Sequence, residues 1–129
     1  MKILYLPVCE EYFRLIKDGI KPEEYRQIKP YWCMRLLGEK HTIEYWQQKW
    51  LYNVIWDGTN GERYKRNLIN EYGIADYTHV MFTCGYPAKD DTDKHILKEI
   101  TEIAIGKPHK GWCPDSFLND DYFIIKFKQ

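Results

Sequence analysis

The sequence predicts an α+β fold: a small mixed barrel rather than a doubly wound sheet. Three observations predict it. β-prone stretches are dispersed around one early amphipathic segment and dominate the last half of the chain. At 129 residues there is no room for repeated β-α-β crossovers. No phosphate loop and no G-x-G-x-x-G occurs, which a doubly wound nucleotide-binding sheet would carry. A chain of this length is expected to form one domain, residues 1–129, around one core.

The elements follow in order. Residues 2–7 alternate and are β-prone, so they predict a strand. From Val8 to Lys17 the apolar residues Val8, Tyr12, Leu15 and Ile16 have the spacing of one buried helical face. Glu10 and Glu11 sit in the first turn and Lys17 in the last, as the helix dipole favours. Gly19 stands where a C-cap glycine belongs. Lys21 to Ile28 is expected to be extended, because Pro22 resists helix. Pro30 to Gly38 predicts a short helix, opened by proline and closed by glycine. Residues 43–56 are aromatic-rich and fit helix or strand equally. Asp57 to Gly61 is a loop. Glu62 to Tyr72 predicts a helix with Tyr64, Leu68 and Tyr72 on one face. Tyr77 to Thr83 predicts a strand, Cys84 to Pro87 a turn, and Asp90 to Asp93 a solvated acidic loop. Ile96 to Ile105 predicts a long strand ended by Gly106 and Pro108, and Tyr122 to Phe127 a terminal one.

Aromatic residues make up 16% of the chain, with 11 Tyr and 5 Trp. They fill cores and also offer stacking surfaces for bases. The net charge is zero, which argues against strong non-specific binding to duplex nucleic acid. Between Arg14 and Lys40, however, seven basic residues face four acids, a local net charge of +3. Cys9, Cys33, Cys84 and Cys113 are widely spaced and form no C-x-x-C pair, so neither a disulfide framework nor a zinc knuckle is expected. His109 and Cys113 alone do not make a metal site. No cofactor or metal is expected. The N-terminal stretch is too soon broken by Pro7 for a signal peptide, and no run reaches the length of a membrane span. The expected compartment is the cytoplasm, with no membrane partner.

The most informative stretch is Gly19-Ile20-Lys21-Pro22-Glu23-Glu24-Tyr25-Arg26. A turn glycine is followed at fixed spacing by a lysine, a carboxylate and an arginine. A core cannot bury three charges cheaply unless they pair. The pattern therefore predicts the lip of a site that handles something polar and anionic. G-x-K-x-x-E-x-R also resembles the signature of the ASCH domain family, relatives of the RNA-binding PUA domain. The resemblance extends to Tyr31-Trp32 and Arg35, to a later strand running into Gly85-Tyr86, to the strand with Glu99, and to the closing Tyr122-Phe123-Ile124-Ile125. Residues 39–76 lie outside it and look like a helical insertion. The resemblance implies a PUA-like, mostly antiparallel β-barrel with flanking helices, whose motif residues line an open cleft, and binding of RNA or nucleotides. Some family members hydrolyse N4-acetylcytidine, and ribonuclease activity has been ascribed to others. In the amidohydrolase subgroup the lysine matching Lys21 is a proposed catalytic residue, but a threonine stands where this chain has Glu24.

Each candidate has two readings. On a strand, Glu24 and Arg26 share a face, roughly 6–7 Å apart along it. They form either a ligand site or a structural ion pair at the barrel mouth. Lys21 is a point charge for phosphate, a catalytic group if desolvated, or a solvated surface lysine. Tyr31 and Trp32 stack on a base or anchor their helix. Arg35, one turn further, extends a basic rim or faces solvent. Tyr86 is a cleft wall or a plain turn residue. Glu99 and Glu102 are expected on opposite strand faces, at most one of them facing inward. The leading expectation is binding of single-stranded RNA or of a nucleotide or nucleoside. Its phosphate would meet Lys21 and Arg26, and a base would meet Tyr31, Trp32 or Tyr86. The alternative is an enzyme, hydrolysing a modified nucleoside or RNA with Lys21 and Glu24 as acid–base pair.

Overall fold

The computed structural model describes residues 1–129. Strand β1 (Ile3–Val8) leads into helix α1 (Glu10–Lys17) and strand β2 (Glu23–Gln27). Helices α2 (Pro30–Leu36), α3 (Ile43–Trp50), α4 (Glu62–Arg66) and α5 (Leu68–Tyr72) follow. Strands β3 (His79–Cys84), β4 (His95–Gly106) and β5 (Tyr122–Phe127) complete a five-stranded mixed sheet of order β1-β3-β4-β5-β2. Only the β1–β3 pair is parallel. No helix is long and apolar enough to cross a membrane.

Alternation in the strands builds two apolar layers. Leu4, Leu6 and Val8 of β1, Val80 and Phe82 of β3, and Phe123, Ile125 and Phe127 of β5 enter the main core with Phe13 and Ile16 of α1. The intervening Tyr122 and Ile124 of β5 turn to the other face. There they meet Tyr25 and Cys113 under the loop that carries Trp112 and Phe117. Strand β4 serves both halves of the sheet in succession. Its first part, His95 to Glu99, pairs with β3, and from Ile100 onward it pairs with β5, with a register shift between Ile100 and Glu102. A bulge bends a strand, so the sheet curls at this point.

The curl does not close the expected barrel. β1 and β2 remain free edges. Pro7, inside β1, offers no N–H to a neighbouring strand, and proline belongs to edges for that reason. Instead a side chain spans the gap. Arg26 of β2 donates from Nη2 to the Pro7 carbonyl at 2.8 Å and from Nη1 to its neighbour Tyr25's carbonyl at 2.8 Å. The two edges form a seam held by a guanidinium rather than by a ladder.

Residues 39–76 are mostly helical, and the ambiguous 43–56 stretch turns out helical over nearly its whole length. Thr42 caps α3 by accepting from the Tyr45 N–H at 3.1 Å. The segment then widens into a π-helical turn over Leu51–Ile55. Gly61 ends the following loop at φ +67°, where a Cβ would sit 2.7 Å from a Val54 methyl, so only glycine fits. The helix expected over Glu62–Tyr72 is broken at Asn67. Its N–H is shared between the Arg63 and Tyr64 carbonyls at 3.3 and 3.2 Å, which tightens the turn and restarts the axis. Trp46, Leu68 and Tyr72 tie this layer to the main core. Glu99 and Glu102 both lie exposed, paired with Lys128 and Lys126, so neither faces the interior.

Candidate functional site

The seam opens into a cleft of about 770 Å³. β1 contributes Tyr5, Pro7 and Val8, and β2 contributes Glu24 and Arg26. α1 adds Tyr12, α2 adds Tyr31, Trp32 and Arg35, and the β4–β5 loop adds Trp112 and Phe117. Glu24, Arg26, Tyr31, Trp32, Arg35 and Tyr86, six of the seven residues singled out from the sequence, line it together. Lys21 does not. The residues that sequence reasoning missed are Tyr5, Tyr12, Trp112 and Phe117. Tyr12 shares the apolar spacing of α1, yet Phe13 and Ile16 take the buried positions and Tyr12 turns to the cleft.

The local chain explains where Lys21 goes. Gly19 adopts φ +74° after α1, and the N–H groups of Ile20 and Lys21 both bond back to the Leu15 carbonyl, at 2.9 and 3.1 Å. This hook turns Lys21 under the helix, where it is fully buried. Its Nζ donates to Glu24 Oε1 at 3.1 Å and to the Trp112 carbonyl. The ring centroids of Tyr12 and Tyr25 lie 4.6 and 4.8 Å from the ammonium, on which ring faces act favourably. Of the three readings of Lys21, burial excludes the solvated surface lysine, and the expected phosphate contact in the cleft is not made: Lys21 is a caged cation welding the 107–114 loop to β2.

In the β2–β5 register Glu24 sits opposite Ile125 and Arg26 opposite Phe123. Directly opposed residues share a face, so the pair continues the main core layer at its open edge. Glu24 is only 6% exposed. Its Oε1 accepts from Lys21 and from the Tyr25 N–H at 2.8 Å. Its Oε2 lies 3.6 Å from Arg26 Nη1, too far for a hydrogen bond, and takes no other donor. The guanidinium rests over Trp32 at 5.4 Å and, beyond its two carbonyl bonds, keeps the rest of its donors. The cleft floor thus offers one unspent carboxylate oxygen beside one arginine donor.

The walls are fixed by hydrogen bonds and ring stacking. The Tyr25 hydroxyl donates to Glu23 at 2.7 Å and accepts the His109 N–H at 3.0 Å. Burial pushes it far above the usual phenol range, so it stays protonated. His109 stacks on Trp112 at 3.8 Å. Burial also raises the Cys113 thiol, against the pull of nearby Lys21, so this cysteine is no thiolate nucleophile. At the rim Tyr86 is 93% exposed and Tyr31 is 47% exposed, with Trp32 meeting Tyr31 edge-on at 4.9 Å. No family model matches the chain, and no curated protein and no solved structure is significantly similar to it.

Proposed function

We propose that this chain is an RNA- or nucleotide-binding domain of the ASCH, PUA-like type, and that the seam cleft receives one base edge-first. One observation carries the reading: the unpartnered Glu24 Oε2 beside Arg26 on a floor walled by Trp32 and Trp112. A carboxylate oxygen accepts only, and a guanidinium donates only. Side by side they match a base edge, which carries donors and acceptors next to one another. The same carboxylate repels phosphate, so the ligand enters base-inward and leaves its phosphate outside. This reverses the orientation expected from the motif, in which Lys21 and Arg26 met the phosphate. Indole faces suit a planar base and tolerate any sequence.

Titrating the intrinsic tryptophan fluorescence with ribonucleosides, nucleotides and short RNA oligomers tests this. Saturable quenching is expected, with weak salt dependence because few phosphates are engaged. No saturable binding at low salt removes the reading.

A second reading, hydrolysis of an acylated nucleoside, rests on the same oxygen. Glu24 Oε2 would take a proton from water while Lys21 holds the carboxylate. Lys21 would not be the nucleophile, since its Nζ is spent on Glu24 and the Trp112 carbonyl. Incubation with N4-acetylcytidine and short RNAs decides between them. Turnover lost in Glu24→Gln but surviving in Lys21→Arg would promote the enzyme.

A further inference from the structure

We propose that Arg35 is the phosphate-binding residue of the seam cleft, so that its ligand is a phosphorylated nucleoside rather than a free one. The inference rests on the base-inward reading above and adds the ligand's anionic end.

The cleft's cations differ in what they have left to give. Lys21 is sealed behind Glu24 and does not reach the cleft surface. Arg26 is engaged with the Pro7 and Tyr25 carbonyls and faces a carboxylate, which disfavours a second anion there. Arg35 has neither constraint. It projects from α2 one turn after Tyr31, lines the cleft and is half-buried. Its Nη1 donates to the neutral Tyr31 hydroxyl at 2.8 Å, and its guanidinium carbon lies 5.8 Å from that ring's centre. None of the molecule's ion pairs includes it.

A partly desolvated guanidinium without a counter-ion is costly, and an arriving anion relieves that cost. Its planar fork suits two phosphate oxygens. Tyr31 holds the fork in place, which reduces the entropy lost on binding. Glu24 on the floor and Arg35 at the rim set a polarity: neutral base inside, phosphate out.

The test titrates the intact chain, by tryptophan fluorescence at low ionic strength, with the four ribonucleosides, their 5′-monophosphates and the corresponding trinucleotides. For at least one base a phosphorylated form is expected to bind about tenfold or more tighter than its nucleoside. An advantage already present in the monophosphate identifies a terminal phosphate as the partner. One confined to the trinucleotide identifies the phosphodiester of a strand. In Arg35→Gln that ratio falls to near one, and in Arg35→Lys, which keeps charge but not the fork, it is intermediate. Nucleosides binding as tightly as their phosphates overturn the proposal while leaving the base-inward reading standing, whether or not the variants fold. A ratio kept in Arg35→Gln also overturns it. No binding by any nucleoside or nucleotide overturns the base-inward reading and this proposal with it.

Discussion

Two clefts of the same size, about 770 Å³ each, mark this molecule, and they are built from opposite materials. The seam cleft between β1 and β2 has eleven hydrophobic residues among the seventeen that line it, and its floor charges are buried. The other lies in the 39–76 helical layer, between Lys49, Asn53, Arg63 and Glu71, with two hydrophobic residues among eleven. Its ion pair, Arg66–Glu62 at 3.8 Å, is solvated on both sides. Equal volume therefore says little. What distinguishes the seam is that its charges have been taken out of water and locked in place, and preorganised polar groups in a dry setting are what a ligand can use.

The largest expected effect breaks that locking. Glu24→Gln leaves the fully buried Lys21 ammonium without its carboxylate. A loss of about 3–5 kcal/mol of stability follows, read from urea denaturation. Replacing both partners with apolar residues, Lys21→Met with Glu24→Leu, is expected to recover most of that loss while abolishing ligand binding. If the single variant were as stable as wild type, the seam's charges would be no more desolvated than those of the helical layer, and the contrast would collapse.

A smaller effect tests the seam's wall. Tyr25→Phe removes the hydroxyl that ties Glu23 to the His109 N–H. It is expected to cost about 1–3 kcal/mol and to raise hydrogen exchange across residues 107–118. The same residue gives the seam a pH signature. Burial first of all raises its pKa in the fold, so the folded state keeps a proton that the unfolded state loses above about pH 10. Its contribution is complete below that value and is lost as pH rises through the folded one. Tyr64, beside the second cleft, is pushed by burial only to about 12, so its window is narrower. Denaturation midpoints measured from pH 9 to 12 should fall more gently, by one proton's slope, in Tyr25→Phe than in wild type. An unchanged slope would show that Tyr25 titrates as freely as a surface tyrosine.

The contrast between the clefts was only half legible in the sequence. Glu24 and Arg26 were readable as a pair because a period of two puts both on one strand face, and Gly19 was readable as the helix stop. The burial of Lys21 was not, because it depends on Trp112, ninety-one positions away, and on Tyr12 turning off the apolar face of α1. Tyr5 and Trp112 reach the cleft through strand order, which local spacing does not encode. Helix content in residues 62–72 was visible in the spacing, but the break at Asn67 was not, since no glycine or proline marks it. The open seam escaped for a related reason. Whether two edges pair or are bridged by one arginine is decided by tertiary geometry, with Pro7 as the only local hint.

The smallest effect sharpens the comparison from the other side. Arg66 lies 3.0 Å from Asp121 and 3.8 Å from Glu62, so by geometry it carries as many ion pairs as Glu24 does with Lys21 and Arg26. Arg66 itself is exposed, however, so water screens its charge while the side chain loses entropy in making the pairs, although Asp121 is half-buried. Asp121 also keeps Lys107, at 2.7 Å, when Arg66 is removed. Arg66→Gln is therefore expected to leave the urea midpoint within measurement error and the nucleotide titration unchanged. The control sits on the same scale as Glu24→Gln, since each substitution breaks ion pairs by neutralising one side chain, the first in water and the second in the dry seam. A midpoint that fell as far in Arg66→Gln as in Glu24→Gln would mean that the helical layer is anchored to the β5 end of the sheet through this arginine. The second cleft would then be a structural joint rather than a solvated surface.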